Sequence, residues 1–227
     1  MTVAPPGDDQ RQSAADRVYD RLHARILSLD LPPGARVSEA EVAAEAGVSR
    51  QPVRDAFYRL SKQGFLIIRP QVATTVSPIS VRQVMQARFT RTALELEVIR
   101  SACRLLGPSD HAALQDLVEA QEAALRDHAL FHRLDDQFHR ELAARSGQEH
   151  VWMLIRESKA HMDRVRFLSL TWTAGTALSE HKAILAAVVA RDRDAAETEM
   201  RAHLSRIVDL VEMVREDRND LFGEGDG

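Results

Sequence analysis

Cysteine is almost absent. Cys103 is the single one in 227 residues, so no disulfide can form within the chain, and that usage fits a reducing compartment. Aromatic residues make up 5% and glycine occupies ten positions, which favours helices over a sandwich or barrel with its many short strands and turns. No apolar run approaches the ~20 residues of a membrane span. The N-terminal MTVAPPGDDQ carries Pro, Gly and Asp where a secretory signal would need an apolar core, so a cytoplasmic protein is expected. A strong charge of one sign is also missing. The net charge of -4 hides an asymmetry: residues 10–77 hold ten Lys/Arg against seven Asp/Glu, whereas residues 78–227 hold 20 against 25. A mildly basic segment followed by an acidic remainder is compatible with a nucleic-acid reader joined to another domain.

The helical period dominates what is present. Residues 1–12 and 220–227 read as disordered tails, and Ser77-Pro78 marks a boundary between a domain at 13–78 and one at 79–219. In the first domain Val18, Leu22, Ile26 and Leu29 form one stripe, ended by Leu31-Pro32-Pro33-Gly34. Ser38 and Glu41 have capping-box spacing ahead of a short helix that Gly47 closes. Ser49 caps a third helix running to about Lys62, with Pro52 tolerated in its first turn. The runs FLIIR and ATTVSP around Pro70-Gln71 predict a small hairpin, or wing. Six helices follow, at about 80–106, 109–127, 130–145, 148–170, 175–191 and 193–218, punctuated by Gly107-Pro108, Ser146-Gly147 and Gly175. Short loops between them imply antiparallel neighbours, hence a bundle.

The stretch SEAEVAAEAGVSRQPVRDAFYRLSKQGF has helix-turn-helix spacing. Ala43, Ala44 and Ala46 allow a close helix approach, and Gly47 makes the turn. The second helix buries Val53, Phe57 and Leu60 while presenting Ser49, Arg50, Gln51 and Arg54 at its N-terminal end. Such an end offers free N–H groups to phosphates, and Arg and Gln match the edges of guanine and adenine. In the second domain Asp135 and His139 are four apart within LFHRLDDQFHRELAAR, so they share a helix face. His181 and His203 lie in later helices. One carboxylate and three imidazoles suit a divalent ion such as Zn, Ni or Mn. Four ligands would close a tetrahedral site, whereas a six-coordinate ion would leave two positions for water or a bound acid. A small carboxylate or sugar-acid effector would want a second cationic anchor, for which Arg88, Arg91, Arg164 and Arg166 are the candidates. The pairs His128–His132 and the remaining histidines show no ligand pattern, and Trp152, Trp172 and Cys103 read as core or wall residues.

PPGARVSEAEVAAEAGVSRQPVRDAFYRLSKQGF resembles the winged helix-turn-helix of the GntR family of bacterial regulators. LDDQFHRELAARSG and LSEHKAILAAVVARDRDAAETEMRAHL resemble the all-helical FCD effector domain of its FadR-type branch. The resemblance implies a mainly α protein, a winged helix-turn-helix followed by a six-helix antiparallel bundle. It implies DNA contact by Arg50 and Arg54, with Ser49 and Gln51 at the interface, and metal ligation by Asp135, His139, His181 and His203. Ala40 stands where many members carry Arg, Val72-Ala73 where the wing commonly reads Arg-Gly, and Ala174-Gly175-Thr176 where a Gly-Arg is usual. The expected function is a ligand-responsive repressor, a homodimer on a pseudo-palindromic operator, rather than an enzyme, since no HExxH or second carboxylate base accompanies the metal set. A regulator that senses the ion itself is the alternative, and a metalloenzyme acting on a small acid a more distant one.

Overall fold

The computed structural model describes residues 12–69 and 72–223 and divides into two compact units, Met1–Pro78 and Ile79–Gly227. The first begins with α1 (Ala14–Leu27), whose N-cap Ser13 accepts from the Asp16 amide. This helix stops two residues short of the expected Leu29, which adopts a left-handed φ of 61° outside it. A two-residue strand β1 (Arg36–Val37) precedes α2 (Glu39–Ala46), and Gly47 closes α2 in the left-handed region, at φ 64°. Then come α3 (Arg50–Lys62), β2 (Leu66–Arg69) and β3 (Ala73–Val76). The sheet order is β1-β3-β2, all antiparallel, with Arg36 opposite Thr75 and Leu66 opposite Val76. The expected hairpin is therefore three-stranded. Its proposed turn, Pro70-Gln71, lies outside the described residues.

Val18, Leu22 and Ile26 of α1 pack with Val42 and Ala43 of α2, Val53, Ala56, Phe57 and Leu60 of α3, and Phe65 and Val76 of the wing, all buried. Each Val, Leu, Ile or Phe among them contributes about 1.5–3 kcal/mol by leaving water. Arg59 reinforces this core, donating to Asp16 at 2.8 Å and lying 4.1 Å over the Tyr19 ring.

Among its described residues the second unit holds six α-helices: α4 (Val81–Leu105), α5 (Pro108–Ala123), α6 (His128–Arg145), α7 (Glu149–Val189), α8 (Arg193–Ser205) and α9 (Ile207–Arg218). The number agrees with the sequence reading but the divisions do not. Gly175 fails to end a helix, and α7 runs unbroken for 41 residues, about 60 Å. A mid-helix glycine costs only about 1 kcal/mol relative to alanine, and burial of Leu170, Thr173, Ala174 and Leu178 on either side outweighs that. Conversely, the segment expected as one helix at 193–218 divides at Arg206, whose amide bonds the His203 carbonyl in a tightened three-residue turn.

Two apolar clusters stabilise the unit. One joins Leu96, Ile99 and Cys103 of α4 to Leu114, Val118, Phe131, Phe138, Leu142, Ile184, Met200 and Leu204. The other joins Ile79 and Val84 to Met162, Val165, Leu210, Val214 and the C-terminal Leu221 and Phe222. Residues 220–223, read as part of a tail, are ordered: Asn219–Leu221 forms a 3-10 turn, and Phe222 pairs with Ile79 as a parallel bridge. Burial of Leu221 and Phe222 supplies the apolar area that holds them. Trp172, expected in the core or a wall, is 55% exposed. Among the described residues, no helix is long and apolar enough to cross a membrane.

Candidate metal centre and nucleic-acid interface

The first helix of the turn motif, α2, follows the ordinary rules of helix ends. Ser38 accepts from the Glu41 amide, and Glu39 and Glu41 in the first turn complement the dipole. The N-terminus of α3 breaks both rules. Ser49 occupies the N-cap position without making a side-chain cap bond, and the first turn contains no acidic residue. Arg50 stands there instead, with Arg54 one turn on. Each cation this close to the positive end of the dipole costs about 0.3–1 kcal/mol at most, more weakly for Arg54. Ser49, Arg50, Gln51 and Arg54 are all exposed. Gln51 donates to Asp55 at 2.9 Å, and neither Arg50 nor Arg54 is paired with another described residue. This helix end forgoes local stability and leaves its donors available to an anion outside the chain.

The four side chains of the second site come from three helices. Asp135 and His139 face inward from α6, His181 comes from α7 and His203 from α8, and all four side chains are buried. One ligand atom from each lies within 4.8 Å of the others. The imidazole ring centroids are 4.8 to 5.3 Å apart, and Phe138 stacks on His181 at 4.5 Å.

What fixes the rings lies behind them. His181 Nδ1 is 2.7 Å from Gln121 Oε1. The Gln121 amide donates its NH2 to the Leu134 carbonyl at 3.3 Å, so the atom turned to His181 is the acceptor. His181 therefore carries its proton on Nδ1. His203 Nδ1 donates to Glu180 at 2.9 Å, and Glu95 lies 2.5 Å from His139 Nδ1. For His181 and His203 an acceptor places the proton on Nδ1 and leaves the Nε2 lone pair free, and at His139 the Glu95 carboxylate stands on the Nδ1 side. His139 Nε2 and His181 Nε2 are buried and make no hydrogen bond, and of the Asp135 oxygens Oδ2 meets the Arg166 guanidinium while Oδ1 has only His181 Nε2 at 3.5 Å. Orphaned atoms of that kind are expensive in a protein interior, and this donor set fits a divalent cation of the imidazole-favouring kind.

The protonation states agree with the geometry. Burial holds His181 well below its ordinary value, even though Asp135 acts in the opposite direction, and burial likewise depresses His203. Both are neutral, as ligands must be. Burial alone would raise Asp135, but the Arg166 guanidinium beside it outweighs that and keeps the carboxyl well below the usual range.

Each nearby carboxylate has its own guanidinium. Arg91 pairs with Glu95, Arg166 with Asp135 and Arg206 with Glu180. Arg166 is backed by a second group in which Lys159 bridges Asp163 at 2.5 Å and Asp136 at 2.9 Å, with His132 at 3.5 Å from Asp163. His132, which shows no ligand pattern in the sequence, thus takes part in a largely buried network. His132, Asp136 and Asp163 have metal-like spacing, but the Lys159 ammonium already supplies their cation.

A cavity of about 40 Å³ adjoins the His203 side of the centre, lined by Arg91, Arg166, Glu180 and Arg206 among apolar neighbours. Of the arginines singled out from sequence, Arg91 and Arg166 line it. Arg88 is half-buried on α4 and Arg164 is fully buried in α7, and neither is a lining residue. Burial pushes Arg164 down to about 10. Sequence reasoning missed Arg206, Glu95, Gln121 and Glu180. Weak signals existed for three: Glu95 is four residues after Arg91, Glu180 precedes His181, and Arg206 follows His203 by three.

Comparison with known proteins agrees on both units. Residues 14–76 match the family described as "Bacterial regulatory proteins, gntR family", and residues 86–206 match the FCD domain. The HTH-type transcriptional repressor RspR of Escherichia coli (strain K12) is 35% identical over 217 residues, covering 94% of this chain and 95% of that protein. An uncharacterized HTH-type transcriptional regulator in an unstable DNA locus of Streptomyces ambofaciens is 35% identical over 207 residues, 90% of this chain and 88% of its own. Among solved structures, E. coli McbR/YncC superposes with a TM-score of 0.74 at 24% identity, covering 88% of this chain and 98% of that one. At that identity the likeness speaks for the fold alone.

Proposed function

This chain belongs to the GntR family of bacterial regulatory proteins and carries an FCD domain, and from that premise we propose that it is a metal-dependent, acid-responsive repressor. It is a transcriptional regulator with a DNA-binding helix-turn-helix, as its relatives are, and not an enzyme. The proposal adds three things: a divalent ion held by Asp135, His139, His181 and His203, a small organic acid bound beside it, and a homodimer reading a pseudo-palindromic operator through two copies of α3.

The observation that carries this reading is the set of four buried ligand atoms, three of them Nε2 atoms whose rings are each fixed from behind at Nδ1. A bound ion would supply Lewis acidity toward a carboxylate oxygen. The chain's own residues do the rest. Glu95, Gln121 and Glu180 orient the imidazoles, Phe138 holds the His181 ring, and the apolar clusters on either side keep water from the centre. The arginines around the adjoining cavity provide the cationic surface an organic acid needs. At the other site Arg50, Gln51 and Arg54 supply base and phosphate contacts. An acid that binds one conformation of the regulator better than another shifts its operator affinity by that difference.

Two measurements test the parts separately. A thermal-shift screen against small carboxylic and sugar acids should give a shift for one class that vanishes with chelator and returns with metal. A ligand at 100 times its Kd adds about 2.7 kcal/mol, enough to see. No metal-dependent shift for any acid would remove the effector. Operator binding should be lost in Arg54→Ala with the melting temperature unchanged, and full affinity in that variant would remove α3 from the interface.

A further inference from the structure

We propose that Asp55 is a positioning residue for base readout, holding the Gln51 amide so that it takes an adenine edge and refuses a guanine one. The proposal rests on the reading above that puts the N-terminal end of α3 in the operator.

Asp55 is out of place by charge. It is exposed on α3 one turn beyond Gln51, on an end whose other charged residues are Arg50 and Arg54. A carboxylate there repels the phosphates that those cations attract. It lies past the first turn, where an acid no longer serves the helix dipole. Arg59, one turn further along and spaced to pair with it, donates instead to Asp16 at 2.8 Å and lies 4.1 Å over the Tyr19 ring. Among the described residues the one partner of Asp55 is Gln51, whose Nε2 donates to it at 2.9 Å.

That bond sets the orientation of the amide. A carboxylate only accepts, so the atom turned to Asp55 is the NH2, and Gln51 keeps Oε1 and one N–H for the groove. Adenine offers its N7 acceptor beside its N6 amino donor, and the two remaining groups match that pair. Guanine offers O6 where adenine has the amino group, so Oε1 would face another acceptor. An untethered glutamine escapes this by turning its amide over and giving an N–H to O6. Turning over here would set Oε1 against the Asp55 carboxylate, and the tether removes the escape. Water leaves the groove as a helix docks, and a charge-assisted bond strengthens in that setting. Asp55 therefore weakens attraction to every duplex and sharpens discrimination at one base pair.

Selection from a duplex library with a randomised core, using the full-length protein at fixed salt, tests this. Gln51→Ala locates the base pair that Gln51 reads, as the position whose preference it relaxes. There the natural sequence should favour A·T over G·C by about tenfold or more. Asp55→Ala should cut that preference by about threefold or more at the same position. Asp55→Asn keeps an acceptor of the same size and loses the charge, and should stay within about twofold of the natural sequence. The proposal is overturned, with the α3 interface left standing, by a preference that survives in Asp55→Ala or falls equally in Asp55→Asn. A preference for G·C at that position overturns it too, as does a Gln51→Ala that relaxes no position while Arg54→Ala does. If Gln51→Ala and Arg54→Ala both select the same sequence as the natural protein, the α3 interface falls and this proposal with it.

Discussion

The tip of α3 and the centre of the helical domain are both rich in charge, and they treat it in opposite ways. At the tip, Arg50 and Arg54 are exposed, unpaired within the described chain, and set against their own helix dipole. At the centre of the helical domain the charges are matched to one another: Arg91 with Glu95, Arg166 with Asp135, Arg206 with Glu180, Lys159 with Asp163 and Asp136. An exposed cation loses little by lacking a partner, because water solvates it and salt screens it. A buried one is strongly destabilising when its partner goes. The tip is thus free to be specified by what lies outside the chain. The centre must first satisfy itself, and the few atoms it leaves unsatisfied are informative for that reason.

The comparison breaks most visibly if buried and exposed lysines behave alike. Lys159→Met should lower unfolding free energy by about 3–5 kcal/mol, since it strands the Asp163 carboxylate. Lys62→Met on the exposed side of α3 should stay within about 0.5 kcal/mol. Urea midpoints of the two variants measure this, and similar midpoints would mean that the Lys159 network is not the buried ion-pair system described.

Next in size is the effect of the groups behind the ligands. Gln121→Leu removes the acceptor that fixes the His181 tautomer, and zinc affinity should fall about 10–100-fold. Competition against a chromophoric chelator measures it. No change would mean that His181 needs no such support.

The pH profile sharpens the contrast further. His181 and His203 are held neutral by burial, below their ordinary value of 6.5. The unfolded chain takes up those protons near 6.5 and the fold does not, so it binds more protons than the folded state. Stability is accordingly full above about 6.5 and is lost as pH falls through and below it. With chelator present, the denaturation midpoint should drop between pH 7.5 and 5.5. A flat profile over that window would contradict neutral burial of the two imidazoles.

The smallest expected effect is the most specific to the tip. Arg50→Glu places an acid where the dipole favours one, and should stabilise the protein by about 0.3–1 kcal/mol while weakening operator binding. A variant that is both less stable and fully DNA-competent would show that Arg50 serves the fold.

These two regions also differ in how far they could be read from the chain alone. The turn motif was legible because its determinants are local: Ser38, Gly47 and Pro52 act on neighbours within one turn. The Asp135–His139 spacing was legible for the same reason. Glu95, Gln121 and Glu180 were not, because each becomes a partner only when a different helix arrives. The division of the helices was misread at Gly175 and Arg206, where the local preference was weak and packing decided. Strand β1 is two residues long and exists only through its pairing with Thr74 and Thr75, which no local pattern announces.

The central claim is that Asp135, His139, His181 and His203 bind one divalent ion. Elemental analysis of the full-length protein and of Asp135→Asn, each loaded with zinc and dialysed, tests it most directly. The account requires about one equivalent per chain for the natural sequence and a clear loss in Asp135→Asn. Equal occupancy in the two would contradict it and take Asp135 out of the centre.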